Sequence, residues 1–217
     1  MEYSRSNMFY NEQILKNKLN IKDFNKLLKH EKLLIAIKSM YYFNSNIQEL
    51  DFDIKRLIET NKFLIEDIYD FSSEVRNFDI SEFGYCERYD YLIDLSKTKD
   101  IINNTKIIIE NLNMDYSSYS DIEKKYMMCA ALADLYEQHP FYRANTLTII
   151  LFISDYAREY LDINIDLNKF IKEYDVEKLI CDFTRYADEK LFDAIANVEE
   201  KSDTRALYTA IEEELEI

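Results

Sequence analysis

Apolar residues recur at helical spacing along most of the chain, and strict alternation is rare. Residues 10–20 and 22–43 read as two N-terminal helices, the second carrying Phe24, Leu27, Leu28, Leu33, Leu34 and Ile37. Asp53 has the character of an N-cap for a helix in which Ile54, Leu57, Ile58, Leu64, Ile65 and Ile68 keep the i, i+3, i+4 rhythm. Further helices are predicted over 89–112, 121–138, 174–198 and 203–216. Between Asn145 and Leu161 the pattern changes, because Ile149 to Ile153 is apolar on every side. A helix with no polar face belongs at the centre of a core. The stretch from Val75 to Glu87 breaks the helical rhythm and contains Gly84. It reads as a short β-hairpin, with an irregular loop as the alternative. The expectation is an all-α fold with one small hairpin.

Composition supports this and narrows the function classes. The 217 residues include one glycine and one proline, too little turn material for a sheet protein, and 47% hydrophobic residues suffice for a core. A net charge of −15 argues against nucleic-acid binding, which needs a basic face, and against adhesion to anionic membrane. Cys86, Cys129 and Cys181 are widely spaced and odd in number, as expected of reduced thiols. Met1 to Leu15 carries no signal-peptide pattern, and no apolar run reaches membrane-spanning length. A soluble, cytoplasmic protein is expected.

Chemistry concentrates at the single proline, in His139-Pro140-Phe141-Tyr142-Arg143-Ala144-Asn145-Thr146. A histidine in a loop feeding a helix N-terminus combines a candidate acid–base group with a candidate anion site. A second segment, Phe63-Leu64-Ile65-Glu66-Asp67-Ile68-Tyr69-Asp70-Phe71-Ser72-Ser73-Glu74-Val75-Arg76, precedes it and runs on into Asn77-Phe78-Asp79-Ile80-Ser81. Together these resemble the two signatures of the Fic family. The first reads Leu-Phe-x-Asp-Ile-Tyr-x-Trp-Ala-Gly-Glu-x-Arg followed by Asn-x-x-Ile-Ser. The second is His-Pro-Phe-Arg-Glu-Gly-Asn-(Gly or Thr)-Arg-Thr-x-Arg, and order and spacing agree. The resemblance covers about residues 50–195. It suggests an N-terminal helical extension over 1–49, a Fic-like domain over 50–198 and a C-terminal helix over 199–217.

The resemblance implies a helical domain with a β-hairpin flap that moves AMP from ATP, with Mg²⁺, to a Ser, Thr or Tyr hydroxyl of a target protein. It makes His139 the base, and Asn145 part of an anion hole at a helix N-terminus. Phe141 anchors the loop, and with Thr146 it is expected beside Asn145 in the anion- and nucleotide-binding site. The flap residues Phe78, Asp79, Ile80 and Gly84 would dock the target by strand addition. Ala144 replaces a glycine of the motif, and three positions that carry its chemistry depart from the family. Arg143 stands where the metal-binding carboxylate belongs, and Leu147 and Ile150 replace two phosphate-binding arginines. Each lost arginine removes contacts worth roughly 1.5–3 kcal/mol. Mg-ATP binding is therefore expected to be weak, with Arg143 as a substitute phosphate contact and no residue assigned to a metal. Two functions stay open. One is a transferase using ATP or another phosphate-containing donor; the other is an inactive Fic fold that binds a partner protein as inhibitor or effector. The family also includes toxins and secreted effectors, so secretion as an effector is the alternative to a cytoplasmic location.

Three weaker patterns complete the sequence. Asp162 to Glu173 imitates a calcium loop, but Leu167 occupies the position that needs glycine, so Asp166 reads as an N-cap. Ser45 to Glu49 and Thr209 to Glu213 match the start of the family's inhibitory helix, but their endings differ. His30, among charged residues, reads as a surface side chain.

Overall fold

The computed structural model describes residues 8–11, 14–78, 99–186 and 189–200. Helix α1 (Phe24–Tyr41) begins where Asp23 accepts a hydrogen bond from Lys26 N and runs into the 3₁₀ turns Tyr42–Asn44 and Asn46–Glu49. Helix α2 (Ile54–Ile65) starts at Asp53, whose carboxylate accepts from the amides of Lys55 and Arg56. That is the N-cap expected from the sequence. Helix α3 (Ile101–Leu112) follows, then α4 (Asp121–Gln138), opened by a capping box in which Ser120 and Glu123 each bond the other's backbone. Helix α5 (Asn145–Tyr160) leads through β1 (Asn164–Ile165) to α6 (Leu167–Glu173), α7 (Val176–Tyr186) and α8 (Lys190–Asn197). Strand β2 (Glu199–Glu200) closes antiparallel on β1, pairing Asn164 with Glu200 and Ile165 with Glu199. The fold is mostly helical, and Asp166 caps α6 as expected.

Helix α5 is the axis of the molecule. Every residue from Thr148 to Ala157 is buried, so it has no polar face over this stretch, and it packs between α2 and α4. Helices α3 and α7 lie against α4 in turn. The one charge inside this wall is Asp155. Its carboxylate accepts from Tyr42 Oη (2.6 Å), Gln48 Nε2 (3.1 Å), Arg56 Nη2 (3.2 Å) and Arg158 Nη2 (3.0 Å). Four donors offset the desolvation that pushes its pKa up, and they tie α2 and the 3₁₀ turns to α5.

Three expectations need correction. The helix read over 10–20 is absent among the described residues. Phe9 instead bridges Leu15, Tyr10 N bonds Ile14 O and Lys16 N bonds Met8 O. Asparagine side chains hold this turn: Asn11 Oδ1 accepts from Ile14 N, and Asn17 bonds the backbone of Leu15 and Ile21. Such local bonds compete with a helical backbone. The helix expected to reach Ile68 ends at Ile65 and continues as turns. The span 174–198 is two helices, α7 and α8, so that the second can turn back toward β1. The start of the 89–112 helix, the 203–216 helix, Cys86 and nearly all of the hairpin read over 75–87 lie outside the described residues. No helix among the described residues is long and apolar enough to cross a membrane.

Candidate functional site around His139

The loop between α4 and α5 is built on two left-handed residues. His139 ends α4 at φ 45° and ψ 61°, its amide bonding Leu135 O and Tyr136 O, and Pro140 prevents continuation. Ala144 precedes α5 at φ 60° and ψ 24°. A non-glycine residue in this region costs about 1–2 kcal/mol, which explains the glycine at this place in the family motif.

Arg76 fixes the histidine end. Its Nε donates to His139 O (2.6 Å), its Nη2 to Gln138 O (3.3 Å) and its amide to Pro140 O (2.9 Å), while Val75 bridges Phe141. Asn145 fixes the other end. Its Oδ1 accepts from Phe141 N (2.8 Å) and its Nδ2 donates to Phe141 O (2.7 Å), closing the loop into a ring of hydrogen bonds. Phe141 is fully buried beneath it. Tyr142 Oη donates to Asn77 Oδ1 (2.8 Å) and its ring packs 4.9 Å from that of Phe78. Asp79, Ile80 and Gly84 lie outside the described residues.

Arg143 turns inward. Its Nε and Nη2 reach Glu31 Oε1 at 2.9 and 2.6 Å, and the second oxygen of Glu31 accepts from Tyr69 Oη (2.7 Å). Both side chains are about nine-tenths buried or more, so this is an interior ion pair between α1 and the loop. The carbonyl of Arg143 accepts from Asn61 Nδ2 (2.9 Å), which also bonds Thr148 Oγ1. Leu147 packs against the core from its edge and Ile150 lies inside it, 3% exposed.

At the first turn of α5, Thr146 Oγ1 donates to Glu177 Oε1 of α7 (2.9 Å). A carboxylate of the chain therefore stands at the helix end where an anion is favoured. Burial, with the charges of Arg76 and Arg143, drives His139 down from its ordinary value near 6.5 to about 3. The imidazole is neutral at physiological pH, and so depressed a value gives it little drive to take a proton.

His139, Phe141, Arg143, Asn145 and Thr146 thus form one structural unit, yet no carboxylate of the loop itself faces outward as a metal ligand. An imidazole, an amide engaged with Phe141 and a guanidinium engaged with Glu31 do not suit Mg²⁺, which demands oxygen donors in near-octahedral array. Among the described residues no group of three or more His, Cys, Asp or Glu side chains is placed to hold a metal ion. The partners that shape the site, Glu31, Asn61, Tyr69 and Arg76, were not singled out by sequence reasoning. Only Tyr69 and Arg76 carried a signal, as part of the first motif. A cavity of about 730 Å³ lies at the other end of α5, bordered by Phe52, Tyr116, Tyr156 and Tyr160, and is unconnected with this loop.

No protein-family model and no curated protein matches the chain. Solved structures do. The N-terminal Fic domain of Bep8 from Bartonella sp. 1-1C aligns at TM-score 0.69 and 19% identity, over 93% of this chain and 98% of that one. BepC from Bartonella tribocorum, solved with AMPPNP, gives 0.68 and 16% over 91% and 98%. An N-terminal Fic domain of a Bep effector from Bartonella quintana, with bound ADP, gives 0.65 and 15% over 94% and 98%. These effectors are described as VirB-translocated. At such identities the likeness is one of fold, and the fold of this chain is that of the Fic domain.

Proposed function

We propose that this chain is a Fic-fold protein that acts by binding a partner protein, without ATP-dependent AMP transfer. The observation that carries this reading is the Arg143–Glu31 pair. The residue at the metal position is committed to an interior contact, so it is available neither to a metal nor to a phosphate. Three further features point the same way. Glu177 stands at the N-terminus of α5, Ile150 fills core volume, and His139 is a weak base. The fold survives because its loop is held by Arg76, Asn145 and Glu31, none of which needs a nucleotide.

In this reading residues 50–198 are the Fic-like domain and 1–49 an extension whose Glu31 completes the loop. The partner would meet the flap segment or the acidic surface, as an inhibitor or effector does. The second reading is a transferase with a changed phosphate-containing donor. The position of His139 beside a helix N-terminus favours it, as do the ADP and AMPPNP bound by the Bartonella proteins of the same fold.

Thermal shifts separate the two. Wild type and His139→Ala are compared with ATP, UTP, GTP and CDP-choline, each with and without Mg²⁺. The binding-protein reading expects no stabilisation by any of them. Stabilisation of the wild type, followed by a mass increase on a protein substrate that His139→Ala cannot produce, would establish the transferase instead.

A further inference from the structure

Helix α1 has two faces with opposite claims on the rest of the molecule. Leu27 and Glu31 are buried, Phe24, Leu34 and Ile35 pack against the core, and Glu31 grips Arg143. The helix is therefore fixed in place. Its other face nevertheless exposes Leu33 (59%), Ile37 (43%) and Tyr41 (61%), spaced i, i+4, i+8 so that they form one apolar stripe. Isolated exposed apolar residues are ordinary, whereas a contiguous stripe on a helix held rigidly from behind marks an interaction surface.

The charge along the same face is unusual for this protein. Lys26, Lys29 and Lys32 are exposed, and among the described residues none of them pairs with a carboxylate. The only acidic residue of α1 is Glu31, on the buried side. Lys38, by contrast, is already engaged with Glu66 and Asp67. A chain with a net charge of −15 thus presents a row of free lysines running into an apolar stripe.

We infer that the outer face of α1 docks an acidic amphipathic helix of a partner protein. The partner's apolar residues cover Leu33, Ile37 and Tyr41, and its carboxylates flank that seam to reach Lys26, Lys29 and Lys32. Charge decides among the occupants. A two-fold contact with a second copy would offer these lysines no carboxylate from the facing α1, whose one acidic residue is buried. An anionic bilayer would extend past this face over the rest of a chain whose net charge is −15. An acidic helix is no wider than this face, so its carboxylates meet the lysines without spreading over the rest of the acidic surface. This inference rests on the reading of the chain as a protein-binding Fic fold and assigns that reading a surface separate from the His139 loop.

The full chain is titrated into a fluorescein-labelled amphipathic helical peptide with leucines on one face and glutamates beside them. Saturable binding is expected. Ile37→Glu should weaken it about tenfold or more, since a charge would be placed in the apolar seam. Lys29→Glu with Lys32→Glu should weaken it and flatten its dependence on salt. All three positions are exposed, so unchanged melting temperatures verify that the variants fold. Failure of the peptide to bind, or binding indifferent to these substitutions, overturns the inference. So does a dimer abolished by Leu33→Glu, or binding to phosphatidylserine vesicles in place of the peptide. AMP transfer by the wild type would sink the reading of the previous section and leave a positive peptide result standing. A negative peptide result on a chain that also ignores nucleotides would remove this surface alone.

Discussion

Glutamine at position 31 is the substitution that most directly probes the interior of the site. Glu31→Gln keeps an oxygen for Tyr69 but removes the charge that faces Arg143 at 2.6 and 2.9 Å in a region about nine-tenths buried. Breaking a buried pair from one side costs about 3–5 kcal/mol, because the remaining charge has been taken from water without its counterpart. A domain is stable by roughly 5–15 kcal/mol, so the variant should remain folded but lose much of its margin. Urea denaturation of the wild type, Glu31→Gln, Arg143→Met and the double variant forms a complete cycle. Once Glu31 is gone, removing Arg143 should cost little or even restore stability. The coupling energy is expected to exceed about 1.5 kcal/mol, within the range known for residues sharing one network. A coupling near zero, with Glu31→Gln as stable as the wild type, would refute the claim that Arg143 is held inward by Glu31.

Other consequences follow from the same loop. The unfolded chain binds a proton at His139 near pH 6.5 and the folded one only near 3, so its contribution to stability is present above 6.5 and is lost as pH falls toward 3. The difference in urea stability between wild type and His139→Gln should therefore shrink by several kcal/mol over that window; a pH-independent difference would contradict the buried neutral imidazole. Ala144→Gly should raise stability by about 1 kcal/mol, because glycine accepts the φ of 60° without strain, and no gain would argue against the left-handed turn. Ile150→Arg, which restores a family arginine, should cost more than about 3 kcal/mol by burying an unpaired charge. A well-folded variant that gains ATP binding would show that Ile150 faces the site.

Much of the fold could be read from local pattern. Asp53 announced α2, and the all-round apolar stretch from Ile149 to Ile153 announced the buried axis, because each signal lies within a few residues of what it specifies. The segment around Phe9 to Leu15 misled because its apolar spacing looks helical while Asn11 and Asn17 bond the backbone in a turn. Those asparagines were the available clue. The site was legible as a motif but not as a mechanism. His139, Arg143 and Asn145 lie within seven residues of one another, whereas the partner that decides what Arg143 can do lies 112 residues away on α1. No local rule connects Glu31 to that loop. The left-handed Ala144 was similarly invisible until the backbone was seen, although the family's glycine hinted at it.

The central claim is that the loop at α5 is a finished structural unit with no place for Mg-ATP. Amide NMR of the full chain during titration with Mg-ATP addresses it at the residues concerned. The account predicts that the resonances of His139, Asn145, Thr146 and Leu147 stay unmoved to millimolar nucleotide. Saturable shifts of those four amides at micromolar Mg-ATP would contradict it, and would return Arg143 to the role of a phosphate ligand.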